Sequence, residues 1–351
     1  MERNEKINHF LKYEHSDYCA NFFWLFSSLV TPPQNQCPKE DLDEACLFIE
    51  QQFWRILPVV MPRFLSWVGE EAENTSCIKQ LKQKMTALEK YARSQVNFIS
   101  HIADLFKRKE IPYAFLKSSA TRLTAYSHPY ERFGFDIDIA VPINWIEQCK
   151  SLVKEIGFET AQWNNIQKKY EKANPIARKV FESRSYELGF FVYRLELENI
   201  SIELETAIRN NICKYPELWF ISSDNKIGCY QTLDVHHGLN HERSISVEAL
   251  VEDCCTIEIK GINHNVPRQS WLLLHLICKI YFEKSYKQIL YQYADVYHLV
   301  FKMSYEEYEH FFALLDKYNL KNEALSVLQK FKHNSEILLP EQFATLLYFD
   351  S

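Results

Sequence analysis

The chain has 351 residues, 47% hydrophobic and 25% charged, the balance of a globular protein long enough to bury a sizeable core. Its formal charge of -6, from 40 basic and 46 acidic side chains, argues against a protein that coats nucleic acid through bulk charge. With only 7 glycines and neither G-x-G-x-x-G nor G-x-x-x-x-G-K-[ST], the composition excludes a Rossmann or P-loop phosphate cradle.

The start, MERNEKINHFLKYEHSDYC, lacks the apolar region of a secretory signal, and no window reaches 18 uninterrupted apolar residues. The expectation is a cytoplasmic protein without a membrane span. Residues 5–31 and 40–68 carry apolar side chains at three- and four-residue spacing, among them Phe48, Ile49, Phe53, Ile56 and Leu57, and read as helices. Between them TPPQNQCPKED is a turn-rich break whose Asp41 is placed to cap the second helix. The amphipathic run CIKQLKQKMTALEKYARSQVNFISHIADLFKRKEI fits one helix or a kinked pair over about 77–109.

The pattern then changes. PYAFLK reads as a short strand, SSATRLTAYS as a helix, FDIDIAVP as a second strand, and NWIEQCKSLVKEIGF as a helix between Pro142 and Gly157. After a basic, irregular stretch, GFFVYRLELENISIELETAI alternates apolar and polar residues and reads as a hairpin turning near Glu198 and Asn199. CTIEIKG is strand-like and leads into VPRQSWLLLHLICKIYFEK, helical from Pro267, with further helix to about residue 335. Cys254 and Cys255 are adjacent and the other eight of the ten cysteines are scattered without a C-x-x-C pair, which reads as reduced thiols. The fold class is therefore α+β: a small mixed β-sheet core over 98–262, flanked by helical regions over 1–97 and 263–351.

One strand poses a chemical question. In FDIDIAVP, Asp136 and Asp138 are two residues apart and share a strand face, while Ile137 and Ile139 pack on the other. Neighbouring carboxylates repel unless a proton or a cation lies between them, and oxygen ligands of this kind suit Mg²⁺ (or Mn²⁺) together with nucleotide phosphates. The same alternation also fits the solvated face of an edge strand.

What precedes the pair carries a resemblance. FLKSSATRLTAYSHPYERFGFDIDIAV resembles the signature of the polymerase-β-type nucleotidyltransferases, above all a large, poorly characterised bacterial group with the pattern L-K-G, then tyrosine, proline, arginine and D-x-D. Lys117, Tyr126, Pro129, Arg132, Asp136 and Asp138 fall at its positions, and FWRILPVV upstream and LLLHLICKIYFE downstream are similar too, so the resemblance spans roughly 44–300. It implies two aspartates on one strand and a third acid on a neighbour. ISIELETAI is the expected source, with Glu203 as the acid and Glu205 at a position where the family often has histidine. It further implies an NTP as substrate, with Lys117, Ser118, Ser119 and Arg132 holding phosphates and Asp136, Asp138 and Glu203 holding the metal and carrying catalysis; Lys117 and Arg132 also read as structural groups that neutralise the aspartates without a metal. Ser118 stands where the family has glycine, which removes the backbone freedom that glycine would give there.

Three other features belong to the same reading. The basic run QKKYEKANPIARKVFESR is either a receptor for anionic groups or a solvated helix and loop. LDVHHGLNHE groups Asp234, His236, His237 and His241, as a metal cluster or as groups near the acceptor, but contains no H-E-x-x-H. His275 and Lys279, four apart on one helix, face either the nucleotide pocket or the core, with Asp295 placed to pair with them. The expected function is metal-dependent transfer of a nucleoside monophosphate to an acceptor hydroxyl on a small molecule or a protein, nucleic acid being disfavoured by the charge. The alternative is a catalytically degenerate scaffold that binds or senses.

Overall fold

The computed structural model describes residues 24–27, 37, 41–189, 191–212, 215–239, 245–283, 289–335 and 339–343. The helix expected over 5–31 lies outside these residues apart from a turn at Trp24–Phe26, as does most of the break that follows it. Helices α1 (Leu42–Phe53) and α2 (Leu57–Val68) replace the single helix expected over 40–68. Pro58, lacking an amide donor, sits in the first turn of α2, and a 3₁₀ turn at Trp54–Ile56 separates the two. Asp41 stands at the N-cap of α1, but its side chain makes no capping bond. Helix α3 (Ser76–Arg108) is continuous, and its buried Ile78, Leu81, Leu88, Tyr91, Ile99 and Phe106 lie on the stripe that the sequence marks.

The mixed part then runs β1 (Ala114–Phe115), α4 (Lys117–Thr124), β2 (Asp136–Ala140), α5 (Ile146–Ile156), β3 (Glu159–Asn164), β4 (Lys169–Lys172), α6 (Pro175–Arg184), β5 (Phe191–Glu196), α7 (Ile202–Ile212), β6 (Trp219–Ile221) and β7 (Ile227–His236). A short helix α8 (Val247–Glu252), a hairpin of β8 (Cys254–Ile259) and β9 (Ile262–Pro267), and helices α9 (Gln269–Glu283), α10 (Ile289–Val300), α11 (Tyr305–Tyr318) and α12 (Lys321–Ser335) complete it. This is the expected α+β class. No described helix is long and apolar enough to cross a membrane.

Seven strands form one sheet in the order β1-β2-β7-β5-β3-β4, with β6 also on β7. Every pair is antiparallel except β2 with β7. Strand β7 is the axis: β5 pairs one edge over residues 228–233, while β6 and then β2 take the other edge over 227–229 and 232–236.

Two readings need correction. ISIELETAI is not the second arm of a hairpin but the helix α7. After Asn199, whose φ is 52°, the Ser201 hydroxyl accepts from the Leu204 amide, and Glu205 pairs with Arg209 one turn on at 2.8 Å. The irregular basic stretch holds the β3–β4 hairpin and α6, and strands β6, β7 and β9 are likewise absent from the sequence reading.

Candidate active site

The parallel register of β2 and β7 places Asp136 beside Thr232, Asp138 beside Asp234, and Ala140 beside His236. Directly paired residues point to one face, so Asp136, Asp138, Asp234 and His236 stand together. Ile137, Ile139, Leu233 and Val235 alternate with them and are fully buried in the core behind. One ligand atom from each of Asp138, Asp234 and His236 lies within 4.8 Å of the other two. The acid that the neighbouring strand brings to this face is Asp234 in the run D-V-H, which the sequence reading has in view but does not place on a strand. Glu203 is exposed on α7 and Glu205 is engaged with Arg209, and neither lines the site.

The charges on this face are unevenly balanced. Lys117 Nζ lies 2.9 Å from Asp138 Oδ1 and 3.5 Å from Glu187 Oε1. His236 Nε2 lies 3.0 Å from the same Asp138 oxygen, with Nδ1 3.3 Å from Glu187. Burial alone would raise the Asp138 carboxyl, but Lys117 and His236 outweigh it and hold Asp138 below the ordinary range. Burial likewise pulls on the Lys117 ammonium, yet Asp138 and Glu187 keep it above its ordinary value. Burial, then Lys117, lower His236, which favours the neutral ring.

Asp136 and Asp234 go the other way. Burial and the Asp138 charge raise Asp136, even though the Thr232 hydroxyl donates to it at 2.7 Å. Burial, Asp136 and Asp138 raise Asp234 well above the usual carboxylate range, and its Oδ1 is buried without a donor among the described residues. One carboxylate is ion-paired, while the other two are in no ion pair among the described residues and are only partly offset by Lys117, an arrangement that suits a proton or a cation between them.

Beside the acids lies a cavity of about 120 Å³, walled by α4, α9, α10 and the 3₁₀ turn after α1. Ser118 and Thr121 from α4 and His275 and Lys279 from α9 reach it, because α9 packs directly on α4. Burial, followed by Lys117, His236 and Lys279, lowers His275 to about 3, so its ring is neutral near pH 7. Arg55 is the cation that the sequence reading missed. Its guanidinium sits 5.0, 5.2 and 4.9 Å from the ring centroids of Trp54, Phe135 and Tyr291 and forms no ion pair among the described residues. Burial lowers it, and nearby Arg132 adds to that.

The expected phosphate ligands are placed unequally. Arg132 does form a bidentate fork, but onto Asp295 of α10, with Nε–Oδ1 and Nη2–Oδ2 both 2.8 Å, and Tyr126 donates to the same carboxylate at 2.7 Å. It borders the cavity with its charge already committed. Ser119 turns its hydroxyl onto β2, accepting from the Asp138 amide at 3.1 Å. Lys117, which opens α4 with φ 46°, binds carboxylates. Ser118 faces the cavity, housed by Gly134, where a Cβ would fall 2.1 Å from Ser118 Oγ. His237 follows β7 with its amide on Tyr186 O and does not line the cavity; His241 lies outside the described residues.

A family model described as uncharacterised nucleotidyltransferase matches residues 54–333. No curated protein matches the chain. Among solved structures it is similar to the crystal structure of an antigenic nucleotidyltransferase-like protein from Paracoccidioides brasiliensis, with 12% identity, a TM-score of 0.27, and coverage of 66% of this chain and 91% of that one.

Proposed function

Because the chain belongs to this family of uncharacterised nucleotidyltransferases, we propose that it transfers a nucleoside monophosphate from an NTP to a hydroxyl on a small-molecule or protein acceptor. The acceptor oxygen bonds to the α-phosphorus, the bond to the β-phosphate breaks, and pyrophosphate leaves. The observation that carries this reading is the trio Asp136, Asp138 and Asp234 on paired parallel strands, two of them in no ion pair among the described residues and raised above the ordinary carboxylate value by burial and by the charge of neighbouring aspartates.

The donor set fits a hard divalent cation such as Mg²⁺ or Mn²⁺: carboxylate oxygens, one of them orphaned, with His236 steadying Asp138. Bound by Asp136, Asp138 and Asp234, such an ion supplies charge neutralisation at the reacting phosphate. Arg55, Lys279 and the hydroxyls of Ser118 and Thr121, which line the cavity, receive the β- and γ-phosphates, and Asp234, beside Asp138 on β7 and outside the cavity lining, takes the proton of the attacking hydroxyl. The cavity is smaller than the ~300–1,000 Å³ of sites that enclose a drug-sized ligand. It therefore admits the phosphate end, while the nucleoside lies outside it.

One feature favours the second reading, a scaffold that binds nucleotide without turnover: Lys117 and His236 both contact the same oxygen of Asp138. Thermal unfolding with each of the four NTPs, with and without Mg²⁺ or Mn²⁺, tests both readings together with pyrophosphate release. A metal-dependent rise of several degrees, abolished in Asp136→Asn, is expected. Absence of any shift sinks both, and a shift without pyrophosphate leaves the scaffold.

A further inference from the structure

The acid-bearing face of the sheet continues beyond β7 as a line of aromatic rings. Val192 and Arg194 of β5 lie opposite Thr232 and Tyr230 and so share their face. Glu159 lies opposite Val192, which puts Ala161 and Trp163 of β3 there too. Phe220 lies opposite Gly228, where a Cβ would fall 2.1 Å from the Phe220 ring, so the missing side chain lets that ring lie down on the sheet. The β3–β4 hairpin curls back over the face. Tyr170, on the last strand of the order, meets Tyr230 on β7 at 4.8 Å between ring centroids. Trp163 follows at 4.9 Å from Tyr170, and Phe220 lies 5.0 Å from Tyr230.

These rings are not an extension of the core. Ala161, Val192 and Tyr230 form a buried cluster of their own, with Tyr170 and Phe220 against it, and Trp163, Tyr170 and Phe220 are only half-buried. Tyr170, between Trp163 and Tyr230, feels the acids: burial raises its phenol, and the Asp136 charge raises it further. On the same face Lys172, opposite Ala161, and Arg194, 6.0 Å from the Tyr230 centroid, are exposed. Neither is in an ion pair among the described residues.

Displacement at phosphorus puts the attacking and leaving oxygens on opposite sides. The groups that receive the leaving pyrophosphate under the function proposed above line the α4–α9 cavity beside β2. The attacking hydroxyl therefore comes from the β7 side, across Tyr170. Resting on that reading, we propose that the strip Trp163–Tyr170–Tyr230–Phe220 is the acceptor site, and that it takes a small molecule with its hydroxyl on a ring whose face can lie against an aromatic side chain and an anionic group for Arg194 and Lys172. Rings stack on rings regardless of fine identity, and the two rim cations supply the charge preference.

Two probes offer this chemistry from different sources: 4-hydroxyphenylacetate, an aromatic hydroxy acid, and glucose 6-phosphate, a sugar ring. Each is titrated into the full-length protein by ligand-observed NMR, alongside the metal-dependent NTP thermal shift. At least one probe is expected to bind, and the one that binds names the source. Trp163→Ala is expected to weaken it about tenfold and Arg194→Glu at least fivefold, with the NTP shift kept in both. Because Arg194 is exposed, its variant folds whatever becomes of Trp163→Ala. If neither probe binds, or both variants bind like wild type, the strip is not the acceptor site, and an intact NTP shift with pyrophosphate release shows that nucleotidyl transfer survives without it. If a probe binds but wild type gives no NTP shift, the acceptor role falls with the reading it rests on.

Discussion

Arg55 holds a guanidinium among three aromatic rings with no ion pair among the described residues, Asp136 and Asp295 acting on it only from a distance, and next to a second arginine. An unpaired, partly buried cation is a liability in the free protein unless an anion arrives. Arg55→Met is therefore expected to leave the nucleotide-free melting temperature unchanged or higher, while weakening NTP binding about tenfold to a hundredfold, the range of a lost charged hydrogen bond. A variant that loses stability and keeps affinity would make Arg55 a packing residue. Ser118 poses a second residue-scale test. Its hydroxymethyl group occupies the space that Gly134 leaves, with Oγ and Cβ 2.1 and 2.9 Å from where a methyl group on residue 134 would stand. Gly134→Ala is expected to destabilise by about 1–3 kcal/mol, the usual range for an overpacked site. Ser118→Gly in the same chain is expected to return most of that loss, read as the coupling in a double-mutant cycle. The serine that departs from the family pattern is thus accommodated by the glycine sixteen residues on.

At the scale of elements, what the sequence shows depends on how many faces each element hides. Helices α3 and α5 bury one stripe, so their period is plain, and Gly157 with φ 101° ends α5 where the reading ends it. Strand β2 was legible because acids and isoleucines alternate. Strand β7 is buried along its whole length, so IGCYQTLDVH has no alternation to read, and the third acid went unplaced with it. ISIELETAI alternates like a strand, yet its glutamates, leucine and alanine are good helix formers, and the cap and the Glu205–Arg209 pair decide. A sequence also cannot say which anion an arginine meets. Arg132, expected on phosphate or on the aspartates of β2, is held instead by Asp295, joining the loop before β2 to α10. Asp295→Ala leaves that buried charge without a partner and is expected to cost about 3–5 kcal/mol in urea unfolding, whereas Arg132→Met with Asp295→Leu recovers most of it. Equal loss in the double variant would count against a purely electrostatic anchor.

At the scale of the whole molecule, acid stability turns on buried histidines as well as carboxylates. Burial lowers His298 to about 4, with Asp295 opposing and Lys302 adding to the shift, and its Nε2 is buried without a partner among the described residues. The unfolded chain takes up this proton near pH 6.5, while the folded chain resists until about pH 4. Between those values the unfolded state binds more protons, so stability falls as pH falls and levels off below pH 4. The loss is on the order of 1–3 kcal/mol, and His298→Phe is expected to remove it from a series of melts between pH 7 and 4. Identical slopes in both proteins would assign the acid sensitivity elsewhere.

The Asp138–His236 contact spans 98 residues of chain. At roughly 5–20 residues per second on the ribosome, about 5–20 s separate the emergence of its two halves. Throughout that interval β2 has no parallel neighbour, its carboxylates remain in water, and any divalent ion meets only an isolated pair of acids. Closing so long a loop defers the reward of the contact until most of the helical scaffold exists. The charge-dense centre is therefore a late product of synthesis, so a chelator present during refolding is expected to leave the folding rate untouched.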